Sequence, residues 1–88
     1  MTEAQYEAMA EAFMRGPKPS QVEECTRTSS KEILRFDPAT QEFGILANSV
    51  IVTYFKPRPC ATLPHWEPKV NCHGERDNLT YFRKECSQ

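Results

Sequence analysis

Apolar residues recur at helical spacing at the start of the chain, where Tyr6, Met9, Ala10 and Phe13 form one stripe. Thr2, followed three residues later by Gln5, reads as a capping box, and Gly16-Pro17 stops the helix, which the pattern places over residues 3–15. The Tyr6, Met9, Phe13 stripe is expected to pack into the core. After the Gly-Pro-Lys-Pro-Ser linker the pattern becomes alternating. Val22, Cys25 and Thr28 suggest a weak strand, and Ile33, Leu34 and Phe36 a stronger one. Asp37-Pro38-Ala39-Thr40 predicts a turn, because Asp accepts hydrogen bonds from nearby backbone and Pro presets the next dihedral.

Two further strands are expected over residues 42–47 and 50–56, joined by Asn48-Ser49, where Asn tolerates the positive φ of a tight hairpin. The run Val50 to Phe55 is so rich in β-branched and aromatic residues that it predicts the central strand of a sheet. From Pro57 to Arg76, prolines and polar residues predict a long loop that holds both histidines, the single tryptophan and two of the four cysteines. Leu79, Tyr81 and Phe82 then supply the apolar content of a last strand or short helix.

With 88 residues the chain makes one domain with a small core, and 39% hydrophobic against 26% charged residues marks it as globular. The longest apolar run, around Val50 to Phe55, is far below the roughly 20 residues that span a bilayer. Glu3, Glu7 and Glu11 ahead of Arg15 are the reverse of a basic signal-peptide start. A net charge of −1 gives no overall basic field, so any phosphate site must be local, and Phe55 to Arg58 and Arg83-Lys84 are the local basic stretches.

Thr53, Lys56 and Arg58 lie at the end of the expected central strand and just beyond it; Thr53 and Phe55 would share one face, Tyr54 and Lys56 the other. A hydroxyl and a cation near His65 or His73 suit phosphodiester cleavage, which needs a base, an acid and a cation for the developing charge. Solvent-facing histidines are the plainer alternative. Trp66 either stacks on a base or packs back over the core. The cysteines contain no C-x-x-C pair. A Cys60–Cys72 disulfide, with Cys25–Cys86 as its companion, ranks ahead of free thiols and of a zinc site built from Cys60, His65, Cys72 and His73. Asn78-Leu79-Thr80 matches a glycosylation acceptor, a pattern too short to carry weight.

The segments Glu24 to Arg27, Leu34 to Gly44, Thr53 to Pro57, His73-Gly74, Asn78 to Phe82 and Cys86 together resemble a family of bacterial polymorphic-toxin C-terminal domains. These domains end contact-dependent inhibition and Rhs-type effectors and belong to the barnase, EndoU, colicin and RelE-like nuclease group. The most specific pieces are Phe-Asp-Pro-Ala-Thr and Thr-Tyr-Phe-Lys-Pro. The resemblance implies an α+β fold with an N-terminal helix packed on a four-stranded antiparallel sheet. It also implies a metal-independent, cofactor-free ribonuclease acting on RNA, transfer RNA being a common target, and blocked by a cognate immunity protein. Residue by residue it points to Thr53, Lys56, His73 and Tyr81 as catalytic, with Arg35 and Arg58 as phosphate contacts; His65 is a further substrate-binding candidate. It implies delivery as part of a larger effector into a target-cell cytoplasm.

The chain departs from the family pattern in three places. A His-rich helix usually precedes the equivalent of Thr2, the stretch Arg58 to Cys72 looks like an insertion, and Asn48-Ser49 replaces the usual Asp-Gly. The competing expectation is a non-enzymatic binding module, such as an immunity or adaptor protein of similar build, which the near-neutral charge favours.

Overall fold

A computed structural model of the chain describes residues 2–69 and 71–88. The first element is helix α1, Glu3–Arg15, and its start is held as the capping box predicts: Gln5 N donates to Thr2 Oγ1 at 3.1 Å and Thr2 N donates to Gln5 Oε1 at 2.8 Å. Four strands follow, β1 (Glu23–Thr26), β2 (Ile33–Phe36), β3 (Phe43–Ala47) and β4 (Val50–Phe55). They form an antiparallel meander in the order β1-β2-β3-β4. Helix α2, Asn78–Cys86, closes the chain, so the final apolar segment is a helix rather than a strand. The architecture is the expected α+β arrangement of an N-terminal helix and a four-stranded antiparallel sheet.

The strand expected at the centre is an edge. β4 pairs only with β3, and Val50 and Val52 are 59% and 54% exposed, whereas Phe43, Gly44 and Ile45 of β3 are buried. Composition pointed to the wrong strand because β propensity measures fit to a half-buried pleated surface, not position in the sheet. β2 and β3 are the interior strands, and on β3 Gly44 lets the Met14 side chain lie on the sheet: a Cβ at Gly44 would stand 2.5 Å from Met14 Sδ. The same contact rotates the buried stripe of α1. Ala10 and Met14 are buried, while Tyr6 and Met9 are 43% and 40% exposed, so the Tyr6, Met9, Phe13 stripe is the flank of the packed face.

Pleating sorts the sheet into two faces. Glu24, Arg35, Gly44 and Tyr54 stand in register on the face covered by α1. Tyr6 and Phe13 pack their rings on Tyr54 at 5.4 and 5.7 Å. Phe36, Phe43 and Phe55 in one row, and Leu34, Ile45 and Thr53 in the next, lie on the opposite face, where Phe82 of α2 joins Phe36 and Phe43 in the core.

Turns follow local chemistry. Asn48 and Ser49 both take positive φ, as a tight hairpin needs. Asp37, buried, accepts from Ala39 N at 2.8 Å and Thr40 N at 3.3 Å, and Gln41 closes this turn at φ 68°. Two disulfides, Cys25–Cys86 and Cys60–Cys72, account for all four cysteines. The first ties β1 to the end of α2. The second staples the predicted loop, which holds a 3-10 turn at Cys60–Thr62 and a bridge between Pro59 and His73. Val70, inside that loop, lies outside the described residues. Among those residues no helix is long and apolar enough to cross a membrane.

Candidate functional site

On the α2 face, a cavity of 530 Å³ opens beside the end of β4, lined by Phe55, Asn71, Cys72, His73 and Tyr81. The Cys60–Cys72 bond and two backbone hydrogen bonds fix its histidine from one side: His73 N donates to Arg58 O at 3.0 Å, and His73 O accepts from Cys60 N at 2.8 Å. From the other side the Tyr81 ring stacks on the imidazole, with centroids 4.3 Å apart and planes 13° off parallel.

The imidazole edge is fixed as well. Nε2 lies 2.8 Å from Asn78 Oδ1, and Nδ1 accepts from Glu75 N at 3.2 Å. A backbone N–H aimed at Nδ1 assigns the proton to Nε2, which donates to Asn78. Asn78, 7% exposed, also donates to Pro57 O and Gln41 Oε1, both at 2.7 Å. A buried amide with three satisfied contacts is a rigid anchor. It is the first residue of α2, just after Asp77, whose side chain caps the helix by accepting from Thr80 N at 2.7 Å. Gln41 reaches it because of the left-handed turn after Asp-Pro-Ala-Thr. The turn that begins at Asp37 thus holds the histidine in place, two hydrogen bonds removed.

Tyr81 sits half-buried on Phe43, at 5.4 Å between centroids, and burial followed by the charge and hydrogen bonding of Glu85 raises its pKa above the ordinary tyrosine value. The phenol stays protonated across the neutral range and acts as a hydrogen-bond donor.

The remaining predicted residues are placed as follows. Thr53 shares the α2 face with Phe55 one pleat away, on the same side as His73 and Tyr81. Lys56 follows Phe55 and is exposed, and the cavity lining does not include it. Arg58 pairs with Glu67 at 2.9 Å. His65 is exposed in the loop, and Trp66 beside it is 73% exposed, so it does not pack over the core. Arg35 is committed elsewhere. Its Nη1 donates to Phe13 O and Gly16 O, each at 3.0 Å, and its Nε lies 3.3 Å from Glu24 without hydrogen-bond geometry. It caps the C-terminus of α1 on the opposite face of the sheet, where the helix dipole favours a cation, and so stands away from the cavity. The cysteines are all in disulfides, and among the described residues no cluster of His, Cys, Asp or Glu is arranged to hold a metal ion.

Asn78, Gln41, Asn71 and Phe55 complete the site, none of them a site candidate from the sequence. Asn78 stands there only in the Asn78-Leu79-Thr80 pattern and the segment Asn78 to Phe82, neither of which marks it as the anchor of a histidine. Comparison of the chain with protein-family models, with curated proteins and with solved structures yields no match.

Proposed function

We propose that the chain is the ribonuclease domain of a bacterial toxin, cleaving RNA by metal-independent acid–base chemistry at the His73 cavity. What supports the reading is the direct contact of His73 with Tyr81 at the cavity wall, with Thr53 on the same face of the sheet but outside the cavity lining. In this scheme His73 takes the proton of a ribose 2′-OH and the 2′-oxygen attacks phosphorus. The P–O5′ bond breaks and the leaving oxygen takes a proton from water, giving a 2′,3′-cyclic phosphate and a 5′-hydroxyl. Tyr81 and Thr53 donate hydrogen bonds to the phosphoryl oxygens, and Lys56 or Arg58 supplies the positive charge. Asn78 orients the imidazole as the third member of a triad does. His73 becomes a base when substrate displaces the long Glu75 N–H contact at Nδ1.

Transfer RNA is the substrate class the resemblance favours, a cognate immunity protein the inhibitor, and the end of a larger delivered effector the setting. The two disulfides suit passage through an oxidising compartment. A second reading, a non-enzymatic binding module, is favoured by one observation: both ring nitrogens of His73 already have partners within the chain.

The test is incubation with total bacterial RNA in EDTA, with products resolved on a denaturing gel. Discrete cleavage is expected, falling about 100-fold or more in His73→Ala and less in Tyr81→Phe. Undiminished cleavage by His73→Ala would place the activity elsewhere. No cleavage by the unaltered chain would favour the binding module.

A further inference from the structure

The two outer edges of the sheet differ. The β1 edge is blunted: Glu23 pairs with Arg83, Glu24 with Arg35, and Cys25 is cross-linked to α2. The β4 edge is not. Val50 and Val52 are exposed there, and α1 caps only its two ends, with the Tyr6 hydroxyl donating to Tyr54 O and the Arg15 guanidinium donating to Ser49 O. Between those caps residues 50–53 leave an open stretch of about 13 Å.

The same two caps orient the helix. Tyr6 meets the end of β4 and Arg15 its beginning, so α1 runs alongside the strand in the opposite direction. Between them lies a groove of 660 Å³ whose lining includes Ala4, Ala8, Ile51, Glu3, Glu7 and Glu11. Arg15 pairs with Glu11 at 2.7 Å; Glu3 and Glu7 have no ion-pair partner among the described residues. Carboxylates four residues apart on a helix repeat about every 6 Å. Alternate residues of an extended strand repeat about every 6.6 Å. A strand laid on β4 with a cation at every second position therefore meets one carboxylate per cation.

We infer that the β4 edge and the acidic face of α1 receive an extended segment of a partner protein, carrying lysine or arginine at alternate positions, as a fifth strand of the sheet. Backbone pairing along residues 50–53 supplies the affinity and the Glu3, Glu7, Glu11 row the selectivity. The row repels RNA phosphates. It also disfavours a second copy of the chain, whose own row would be brought against it. The inference does not depend on the ribonuclease reading, since this groove and the His73 cavity share no lining residue.

The probe is a capped hexapeptide of alternating lysine and valine, titrated to millimolar concentration against the labelled chain while amide exchange and chemical shifts are followed. Slowed exchange of the outward-facing amides among residues 50–53, those not already bonded to β3, is expected, with affinity falling about tenfold in Glu3→Gln/Glu7→Gln and in half-molar salt. The Val52→Lys variant, altered at an exposed site, should lose the binding, whereas His73→Ala should keep it. The inference is overturned if those amides show no protection, if a glutamate–valine hexapeptide binds equally well, or if a short single-stranded RNA shifts the same amides.

Discussion

The two faces of the sheet are secured by different means. On one, α1 is held without a covalent link, by contacts to backbone (Arg35 on Phe13 O and Gly16 O, Tyr6 on Tyr54 O, Met14 laid across Gly44) and by the Tyr6 and Phe13 rings on Tyr54. On the other, a nine-residue helix, α2, is held by aromatic packing through Phe82 and by the Cys25–Cys86 bond. A helix that short has little stability of its own, so tertiary fastening decides whether it forms. The face built on the shorter helix is also the one that carries the cavity, with the second disulfide beside it. Covalent fastening is thus concentrated where side chains must be held in fixed relation.

Breaking that fastening should have the largest effect. Replacing Cys25 and Cys86 together by serine opens a cross-link spanning 61 residues and should lower stability by about 4 kcal/mol on the chain-entropy estimate. Denaturant unfolding followed by circular dichroism measures the loss. If α2 is the dependent helix, its amides should exchange freely in this variant while those of α1 stay protected.

Asn78→Ala comes next. It leaves the His73 Nε2–H, Gln41 Oε1 and Pro57 O without their partner and should cost about 3 kcal/mol. The imidazole resonances of His73 should broaden or shift at the same time, a local sign that a uniform loss of stability would not produce. On the α1 face, Gly44→Ala drives a methyl into Met14 and should cost about 2 kcal/mol. Met14→Ala added to it should recover part of that loss, because the closest clash is with the Met14 side chain; the Thr53 carbonyl at 3.3 Å keeps the recovery partial.

The smallest effect is a pH dependence of the α1 face. Burial first, then the hydrogen bond and charge of Glu42, push the Tyr54 pKa well above that of an exposed tyrosine. The folded state thus holds this proton more tightly than the unfolded chain. The contribution to stability is complete below pH about 10 and is lost as pH rises through the unfolded and then the folded value. Urea midpoints measured between pH 9 and 11 should fall, and Tyr54→Phe should flatten part of that fall. Tyr81, shifted in the same direction on the other face, should account for a further part.

Much of the fold was legible because it rests on short-range rules. The capping box, the helix over residues 3–15, the Asp-Pro turn and the Asn48-Ser49 hairpin each depend on residues within four positions of one another. The disulfide pairing was also reachable, because four cysteines allow few pairings and two of them share a loop. Of the sequence candidates, His73 and Tyr81 line the cavity, while Thr53 shares their face of the sheet without lining it. Arg35 was misread because a cation beside a strand looks the same in sequence whether it meets a phosphate or the carbonyl end of a helix packed across the sheet.

By itself the sequence determined the first helix, the four strands, their order and the alternation that divides each strand between two faces, since these follow from backbone sterics and the period of apolar residues; it left the last element open between strand and helix. Only the tertiary structure decided which strand is central, which flank of α1 is buried and what surrounds His73. Each of these depends on contacts between distant residues: Met14 with Gly44, Asn78 with Gln41 and Pro57, Tyr6 with Tyr54. Such pairings carry no local signal, because their energy exists only once the chain has closed the loops that bring the partners together.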